Sequence, residues 1–391
     1  MSDPLRRLMV LDEPAAISSR AAVLESVGAD LKVEEFELDP PGKNEVRVRI
    51  ESSGVCHSDW NAVCGNSFTP LPAVLGHEGA GIVLDVGEGV ATVAAGDAVV
   101  LSWLPWCGHC RACQEGRLTL CEVATAKMGD GTLPSGHIRL HRDGEKPLYH
   151  YSYLSTFARH AVVDESCCVK LPAGTDLEIA SLVGCSVMTG VGAVLNRARV
   201  RPGSSVAVFG MGGVGLSAVM AAQLAGAAQV IAIDPVESKR SLALEVGATE
   251  ALGGAEATVA EELRERTAGG PDFVFEAAGI NRLVEIAVDA VRPGGTVVGI
   301  GLPPGGSTAS IPWPDVVRSE KVLTGTFYGS ARPALDMCMI MRLYAEGRLP
   351  LDRLVSRRYR LEEVNDAFAD MAAGRVARGV IRPWLEEEKE D

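Results

Sequence analysis

A glycine-rich turn between an apolar strand and a helix strongly limits how this chain can fold. Val206–Phe209 is a short apolar run, Gly210–Gly215 follows it as Gly-Met-Gly-Gly-Val-Gly, and Val214–Leu224 has the pattern of a helix. Glycine allows a tight turn and a close approach of the backbone to a pyrophosphate, whose charge is favoured by a helix N-terminus. The turn therefore predicts a dinucleotide site at Gly210, Gly212, Gly213, Val214 and Gly215. The alternative is a tight turn without a ligand.

The same alternation of apolar strands and alanine-rich helices continues along this part of the chain. Further strands are predicted at Val230–Ile233, Phe273–Phe275 and Thr296–Ile300, and a helix near Ser238–Glu245. Strand–helix alternation predicts an α/β fold, in which helices cover both faces of a parallel sheet.

Asp234 ends the second strand of this series, nineteen residues after Gly215. An acidic side chain at that position accepts hydrogen bonds from ribose hydroxyls, and it would repel a 2′-phosphate. Asp234 therefore favours NAD over NADP. The alternative is an aspartate that only caps a helix.

The chain on either side of this segment has a different composition and a different pattern of predicted strands. Residues up to about 187 are rich in glycine, proline and short alternating strands such as Glu45–Ile50, and they hold all seven histidines and nine of the ten cysteines. From Tyr328 onward the sequence no longer shows the regular strand–helix alternation and again has a mixed pattern. We therefore expect one domain formed by residues 1–187 and 328–391, with a second domain, residues 188–327, inserted into it.

Four cysteines are packed into fifteen residues, at about 105–122 of the first domain. Cys107, Cys110, Cys113 and Cys121 have the spacing Cys-x2-Cys-x2-Cys-x7-Cys. Short gaps of this kind let a loop place four thiolates around one tetrahedral zinc ion, and four protein ligands leave no open position. The pattern predicts a structural zinc lobe. Two disulfides or four unrelated thiols are the alternatives.

Composition excludes several functional classes. The net charge of −14 argues against a nucleic-acid or anionic-membrane surface. Met1–Pro14 lacks the features of a signal peptide, and we expect no apolar run of the length that spans a bilayer. Cysteine-rich chains without an export signal are typical of a reducing interior, so a cytoplasmic location is expected. The acidic run Leu385–Asp391 is predicted to be a solvated end.

A second metal site is suggested by Cys56, His77 and Cys185. His77 is flanked by glycines, and Cys185 lies close to the junction with the inserted domain. Two thiolates and one imidazole leave a fourth tetrahedral position open, as in catalytic zinc sites. Spacing alone does not bring these residues together, and each of them has an alternative role as a buried core residue.

The chain resembles the zinc-dependent medium-chain alcohol dehydrogenases over nearly its whole length. The resemblance lies in Gly54–Asp59, Gly76–Val83, the four-cysteine lobe, Gly184–Cys185, Thr189–Gly190 and Gly210–Gly215. It implies a GroES-like, β-rich catalytic domain interrupted by a Rossmann domain. It also implies two zinc ions per chain, a catalytic one on Cys56, His77 and Cys185 and a structural one on the lobe. The implied reaction transfers a hydride between a primary alcohol, aliphatic or aromatic, and NAD, giving an aldehyde.

The resemblance also implies roles for residues around the catalytic metal. Ser58 aligns with the hydroxyl that passes the alcohol proton outwards, and Asp59 and Glu78 align with acids that orient the ligands. Trp103 and Phe157 are expected to line the substrate pocket. The alternatives are a turn serine, surface carboxylates and core aromatic residues.

Further roles concern the cofactor. His57 and Arg378 align with cations on the pyrophosphate, and Lys239 with a ribose contact. Thr189 and Val214 are expected to pack against the nicotinamide. Each cation has the alternative of a solvated surface charge.

Two positions depart from the pattern of relatives. Many relatives end the proton relay in a histidine where this chain has Asn61, whose amide does not titrate near neutral pH. Thr125 replaces an arginine with which glutathione-dependent formaldehyde dehydrogenases bind the glutathione carboxylate.

Two other functions remain as alternatives, and the resemblance implies one assembly state. A thiol-dependent formaldehyde dehydrogenase is the nearest alternative, and a catalytically silent NAD-binding protein is another. The long segment Cys121–Phe157 is retained in relatives that are dimers, so a homodimer is expected, with the strand near Thr296–Ile300 close to the contact.

Overall fold

The computed structural model describes residues 15–142 and 146–385. Residues 1–14, for which no signal peptide was predicted, and the acidic run after Leu385 lie outside the described residues. All of the ligand and cofactor residues named above lie within the described ranges.

The described residues form alternating strands and helices. The strands are β1 (Ile17–Leu24), β2 (Lys32–Leu38), β3 (Glu45–Gly54), β4 (Ala73–Val74), β5 (Glu78–Val86), β6 (Ala98–Leu101), β7 (Leu140–Arg142), β8 (Lys146–His150), β9 (His160–Asp164), β10 (Cys168–Lys170), β11 (Ser205–Phe209), β12 (Gln229–Ile233), β13 (Glu250–Leu252), β14 (Phe273–Glu276), β15 (Thr296–Gly299), β16 (Val322–Gly325), β17 (Val355–Tyr359) and β18 (Arg378–Ile381). The helices are α1 (His57–Val63), α2 (Arg111–Gln114), α3 (Glu122–Lys127), α4 (Leu177–Leu182), α5 (Met188–Gly192), α6 (Gly213–Leu224), α7 (Glu237–Glu245), α8 (Val259–Arg266), α9 (Asn281–Ala290), α10 (Trp313–Arg318), α11 (Pro333–Ala345) and α12 (Val364–Ala372).

The inserted segment forms the parallel sheet that its strand–helix alternation predicts. Within the described residues the strand order is β13-β12-β11-β14-β15-β16, and every pair is parallel. Strands β11 and β12 are almost wholly buried, because helices pack on both faces and exclude water from their β-branched side chains. The α/β fold class predicted from the sequence is confirmed.

A second, mainly antiparallel sheet combines strands from both ends of the described chain. Its order is β10-β6-β5-β3-β18-β17, and β9 also pairs with β3. Strand β18 pairs antiparallel with β3 through Val380 and Ile381. The polypeptide therefore returns to this sheet after the parallel sheet is complete. A small closed barrel, β1-β2-β7-β8-β4, packs beside it.

One helical stretch links the two sheets and corrects an expectation from the sequence. Leu177–Ala198 has 22 residues and contains an 18-residue window with a mean hydropathy of 1.7, so by length and composition it meets the requirement for a membrane span. The expectation that no run approaches that length is wrong. In the structure 83% of its most apolar window is buried inside the fold, as in the core helix of a folded domain.

Candidate functional site

Cys56, His77 and Cys185 converge in a buried cluster between the two sheets. Cys56 precedes helix α1, His77 precedes strand β5, and Cys185 lies in the π-helical turn Val183–Val187. Their ligand atoms and a carboxylate oxygen of Glu78 all lie within 4.8 Å of one another. The structure thus brings together the three residues that spacing alone could not connect.

The hydrogen bonds of His77 fit a metal ligand. Its Nδ1 lies 2.9 Å from Oδ1 of Asp59, whereas its buried Nε2 has no hydrogen-bond partner among the described residues. Asp59 is itself held in place, since the main-chain N–H groups of Cys56 and Gly76 donate to its carboxylate. A carboxylate on one ring nitrogen orients the other toward a metal, which is the usual arrangement at zinc-binding histidines.

The two thiols form an interacting pair, in which the hydrogen bond with Cys56, together with burial, raises the pKa of Cys185 well above its ordinary value. The Cys185 thiol, hydrogen-bonded to Cys56, lowers the pKa of Cys56 well below its ordinary value, against the effect of burial, and His77 acts in the same direction. The Cys56 side chain is therefore stabilised as a thiolate, the form that binds metal. Sulfur, nitrogen and sulfur donors at a buried position match the donor set of an open zinc site.

Glu78 connects this cluster to the cofactor side through a buried ion pair. Its Oε2 accepts a hydrogen bond from the Arg378 guanidinium, and both side chains are almost fully buried. Burial raises the pKa of Glu78 to about 7, against the opposing charge of Arg378. Its Oε1 has no partner among the described residues.

The glycine turn packs directly on Arg378. Gly210 has φ +89°, a conformation that favours glycine, and a Cβ on Gly213 would lie 2.4 Å from Cδ of Arg378. The guanidinium therefore approaches the N-terminus of α6, where backbone N–H groups attract anions. This close approach requires glycine at position 213.

The acidic residue after β12 also contacts this turn. Asp234 is buried; its Oδ2 accepts from the N–H of Met211 at 2.8 Å, and its Oδ1 accepts from the N–H of Val236 at 2.9 Å. The carboxylate is therefore held beside the turn by two main-chain donors.

His57 and Lys239, both predicted to contact the cofactor, lie near Arg378, but the lowered pKa of His57 does not favour the charge predicted for it. Partial desolvation lowers the pKa of His57, and the positive charges of Arg378 and Lys239 lower it further. Three basic side chains from separate parts of the chain thus lie close enough to interact, and Arg378 among them contacts the glycine turn at Gly213. Thr189 is partly buried in α5, and Val214 is partly buried in the first turn of α6.

The four-cysteine lobe forms a separate cluster. The ligand atoms of Cys107, Cys110, Cys113 and Cys121 lie within 4.8 Å of one another, and all four cysteines are free rather than disulfide-bonded. Main-chain N–H groups of Cys107 and Cys110 donate to the sulfurs of Cys121 and Cys107, each at 3.3 Å. Four closely spaced sulfurs fit a tetrahedral zinc ion with no open position.

Aromatic residues surround His77, but they differ in part from those predicted. Trp103 meets the His77 ring edge-on, with centroids 6.3 Å apart, and also contacts Phe327 and Tyr328. Phe157, expected in the substrate pocket, lies instead in the core with no exposed surface, against the ring of Phe368. Its ring and main-chain N pack close to Gly76 and so support the residue before His77.

Tyr151 and Tyr328 were not identified from the sequence. The Tyr151 ring lies 5.9 Å from that of His77, and the Tyr328 ring lies 4.9 Å from that of Trp103. No spacing or motif marks either residue, because each reaches the cluster only through the tertiary fold.

Ser58 and Asn61 share helix α1, which begins directly after Cys56. Ser58 is partly exposed, and its Oγ lies 3.8 Å from Sγ of Cys56. Asn61 is partly buried one turn further along the helix.

Comparisons with known proteins agree with this fold and with zinc binding. The model "Alcohol dehydrogenase GroES-like domain" matches residues 42–173, and "Zinc-binding dehydrogenase" matches residues 213–342. An NDMA-dependent alcohol dehydrogenase from Amycolatopsis methanolica is 40% identical over 368 residues, which cover 93% of this chain and 99% of that protein.

Two solved structures are similar over nearly the whole chain. An alcohol dehydrogenase zinc-binding domain protein from Burkholderia ambifaria is 38% identical with a TM-score of 0.91, covering 95% of this chain and all of that one. Benzyl alcohol dehydrogenase from Acinetobacter calcoaceticus is 33% identical with a TM-score of 0.89, covering 94% of this chain and 99% of that one. Fold and sites together define a medium-chain dehydrogenase. The chain belongs to the zinc-dependent alcohol dehydrogenase family.

Proposed function

We propose that this alcohol dehydrogenase oxidises primary alcohols to aldehydes with NAD as hydride acceptor. The observation that carries the proposal is the buried Glu78–Arg378 pair, which joins the Cys56–His77–Cys185 cluster to the glycine turn at Gly213. A metal-ligand set and a dinucleotide turn linked in this way suit a reaction between a metal-activated alcohol and a nicotinamide.

Different residues of the chain have different roles in this reaction. Cys56, His77 and Cys185 would hold a zinc ion, which would supply Lewis-acid chemistry at the substrate oxygen. Ser58 accepts the proton that the substrate hydroxyl gives up and passes it toward solvent. Asp59 keeps the His77 ring oriented, and Asn61 takes no part in proton transfer.

Asp234 supports NAD as the cofactor. Its buried carboxylate beside the turn would accept hydrogen bonds from ribose hydroxyls and would repel the phosphate of NADP. Lys239 and Arg378 supply the positive charge that a pyrophosphate requires, and the neutral His57 ring can donate a hydrogen bond to it.

The similarity to an NDMA-dependent enzyme favours a second candidate, in which turnover needs an added acceptor. The test measures oxidation of benzyl alcohol with NAD alone, and with NAD plus NDMA. NADH that accumulates with repeated turnover on NAD alone supports the proposal. Product that forms only when NDMA is present would favour the second candidate. Formaldehyde oxidation that requires an added thiol would identify the formaldehyde dehydrogenase alternative, despite Thr125.

Trp103 supports a preference for primary over bulky secondary alcohols. Its ring stands edge-on to His77 and is packed between Phe327 and Tyr328, so it narrows the space beside the metal-ligand cluster. We expect a linear primary alcohol to turn over faster than its branched secondary isomer, and Trp103→Ala to reduce that preference. Faster turnover of the secondary isomer by the unmodified protein would contradict this specificity.

A homodimer is the assembly that we propose. Nothing in the described residues pairs with the outer edge of β16, whose Val322 and Leu323 are exposed. The chain between β15 and β16 also exposes Leu302, Trp313 and Val317. Strand β15, which contains most of the predicted contact segment, lies one strand further in. Exposed edges with apolar side chains favour pairing with a second chain. Light scattering on Leu323→Lys should show a monomer if this edge is the contact.

A further inference from the structure

Two buried tyrosine hydroxyls donate hydrogen bonds to main-chain carbonyls next to the two site cysteines. The Tyr151 hydroxyl donates to the carbonyl of Ser58 at 2.8 Å, two residues after Cys56. The Tyr328 hydroxyl donates to the carbonyl of Gly184, which directly precedes Cys185. Both tyrosine side chains are buried.

The segment after Tyr151 holds an uncommon backbone conformation. Ser152, Tyr153 and Ser155 have φ of 48°, 61° and 60°, a region that non-glycine residues rarely occupy. The turn is closed by hydrogen bonds from the N–H groups of Leu154 and Ser155 to the carbonyl of Tyr151. Such conformations persist where the surrounding structure enforces them, and they are concentrated at functional sites.

This turn leads directly to the backbone around His77. The N–H of Thr156 donates to the carbonyl of Gly76, and the N–H of Phe157 donates to the carbonyl of Leu75. One short segment therefore contacts the chain after Cys56 through the Tyr151 hydroxyl and the chain before His77 through its main chain.

Tyr328 lies in a similar setting on the other side of the cluster. Tyr328 and Ser330 have φ of 54° and 52°, and Gly329 between them has φ 65°. A Cβ on Gly184 would lie 2.8 Å from the carbonyl oxygen of Leu101, so the peptide before Cys185 is closely packed as well as hydrogen-bonded.

We propose that Tyr151 and Tyr328 are positioning residues that hold Cys56 and Cys185 at the separation a tetrahedral metal requires. Cys56 directly precedes α1, and Cys185 lies in the π-helical turn. The Tyr151 hydroxyl restrains the first turn of α1, and the Tyr328 hydroxyl restrains the peptide bond before Cys185. Outer groups that fix metal ligands in this way raise metal affinity. The inference rests on the proposed zinc centre.

Tyr153 offers a matched control in the same turn. It is also buried, and its hydroxyl donates to the carbonyl of Ala124 at 2.6 Å, in the helix that follows Cys121 of the lobe. Tyr153→Phe therefore removes an equivalent buried hydrogen bond without touching the chain beside Cys56 or Cys185.

The experiment measures zinc transfer from the full-length, zinc-loaded protein to a chromogenic chelator. Tyr151→Phe, Tyr328→Phe and Tyr153→Phe are compared, and Cys185→Ser identifies the release phase that belongs to this centre. We expect that phase to become about 10-fold faster in Tyr151→Phe and in Tyr328→Phe, and to stay unchanged in Tyr153→Phe. With cobalt in place of zinc, the first two variants should also shift the thiolate-to-cobalt absorption bands.

Unchanged release and unchanged cobalt bands in both variants would overturn the inference, as would an equal effect of Tyr153→Phe. Each hydroxyl acts on a different cysteine. If Tyr151→Phe does not fold, zinc release from Tyr328→Phe alone therefore still tests the proposal. Absence of the zinc centre itself is seen separately, because the unmodified protein and Cys185→Ser would then release the same amount of zinc in the same phases. Failure of the proposed NAD-dependent oxidation is measured by the alcohol assay and leaves zinc release unaffected.

Discussion

Asp59 holds His77 in the orientation of a metal ligand. Its Oδ1 lies 2.9 Å from Nδ1 of the imidazole, and Nε2 remains buried without a partner in the described part of the chain. Because Asp59 also accepts from the main-chain N–H groups of Cys56 and Gly76, it fixes two of the three ligand segments at once.

Asp59→Asn should therefore weaken zinc binding. The amide is nearly the same size, but it lacks the charge that favours a proton on Nδ1, and loss of such a partner costs about 10–100-fold in metal affinity. Competition with a chelator measures the effect. Asp85→Asn, at a partly exposed carboxylate that pairs with the buried Arg47, is the control. Equal zinc affinity of the two variants would show that Asp59 does not orient the ligand.

Ser58 and Asn61 should differ sharply in their effect on alcohol oxidation. Ser58→Ala removes the hydroxyl next to Cys56, and loss of a proton-transfer group lowers rates by about 10²–10⁴-fold. Asn61→Ala should leave kcat nearly unchanged, because its amide does not carry protons near neutral pH. Steady-state kinetics on the pair, one helical turn apart, provides the comparison. A large loss of kcat in Asn61→Ala would place it in the proton path.

Arg378 should contribute separately to stability and to cofactor binding. Arg378→Met leaves the buried Glu78 carboxylate without its partner, which costs about 3–5 kcal/mol of unfolding free energy. The double variant Glu78→Gln/Arg378→Met should regain most of that stability but should still bind NAD weakly, since the cation at Gly213 is missing. Denaturant unfolding and NAD titration measure the two effects. Recovery of NAD binding in the double variant would mean that Arg378 acts only through Glu78.

His150 should make the protein less stable in mild acid. Burial lowers its pKa to about 3, and its Nδ1 lacks a partner in the described residues. The unfolded chain binds a proton near pH 6.5, so stability is present above that pH and is lost as the pH falls toward 3. Between pH 7.5 and 5 the loss is about 2 kcal/mol.

His150→Gln tests this pH dependence, because the amide oxygen replaces Nε2 as acceptor for the N–H of Arg139. The variant should lose about 2 kcal/mol less than the unmodified protein over that pH range. His137→Gln, at an exposed position, is the control. Parallel pH profiles for the unmodified protein and His150→Gln would contradict the prediction.

The parallel sheet was predictable because its signals are local. Val206–Phe209 and Val230–Ile233 are short apolar runs with turn residues beside them, and each lies within an observed strand. Strands that are packed on both faces require such apolar runs, so these strands can be predicted without knowledge of the tertiary contacts.

The surroundings of the metal ligands were less predictable. Phe157 and Tyr151 lie six residues apart in a segment without regular periodicity, yet one ring enters the core and the other faces His77. The difference arises from the left-handed turn between them, and the sequence does not indicate this turn because no glycine occupies it. Leu177–Ala198 was missed as a span-length apolar helix because Gly184, Gly190 and Gly192 interrupt its aliphatic pattern.

Zinc content and alcohol oxidation of Cys185→Ser, measured on one preparation, test the catalytic centre most directly. The unmodified protein should hold two zinc ions per chain, and Cys185→Ser should hold one and lose nearly all oxidation of a primary alcohol. Cys338→Ser, outside both clusters, should keep both zinc ions and the activity. Alcohol oxidation at the unmodified rate by Cys185→Ser would contradict a catalytic metal at Cys56, His77 and Cys185.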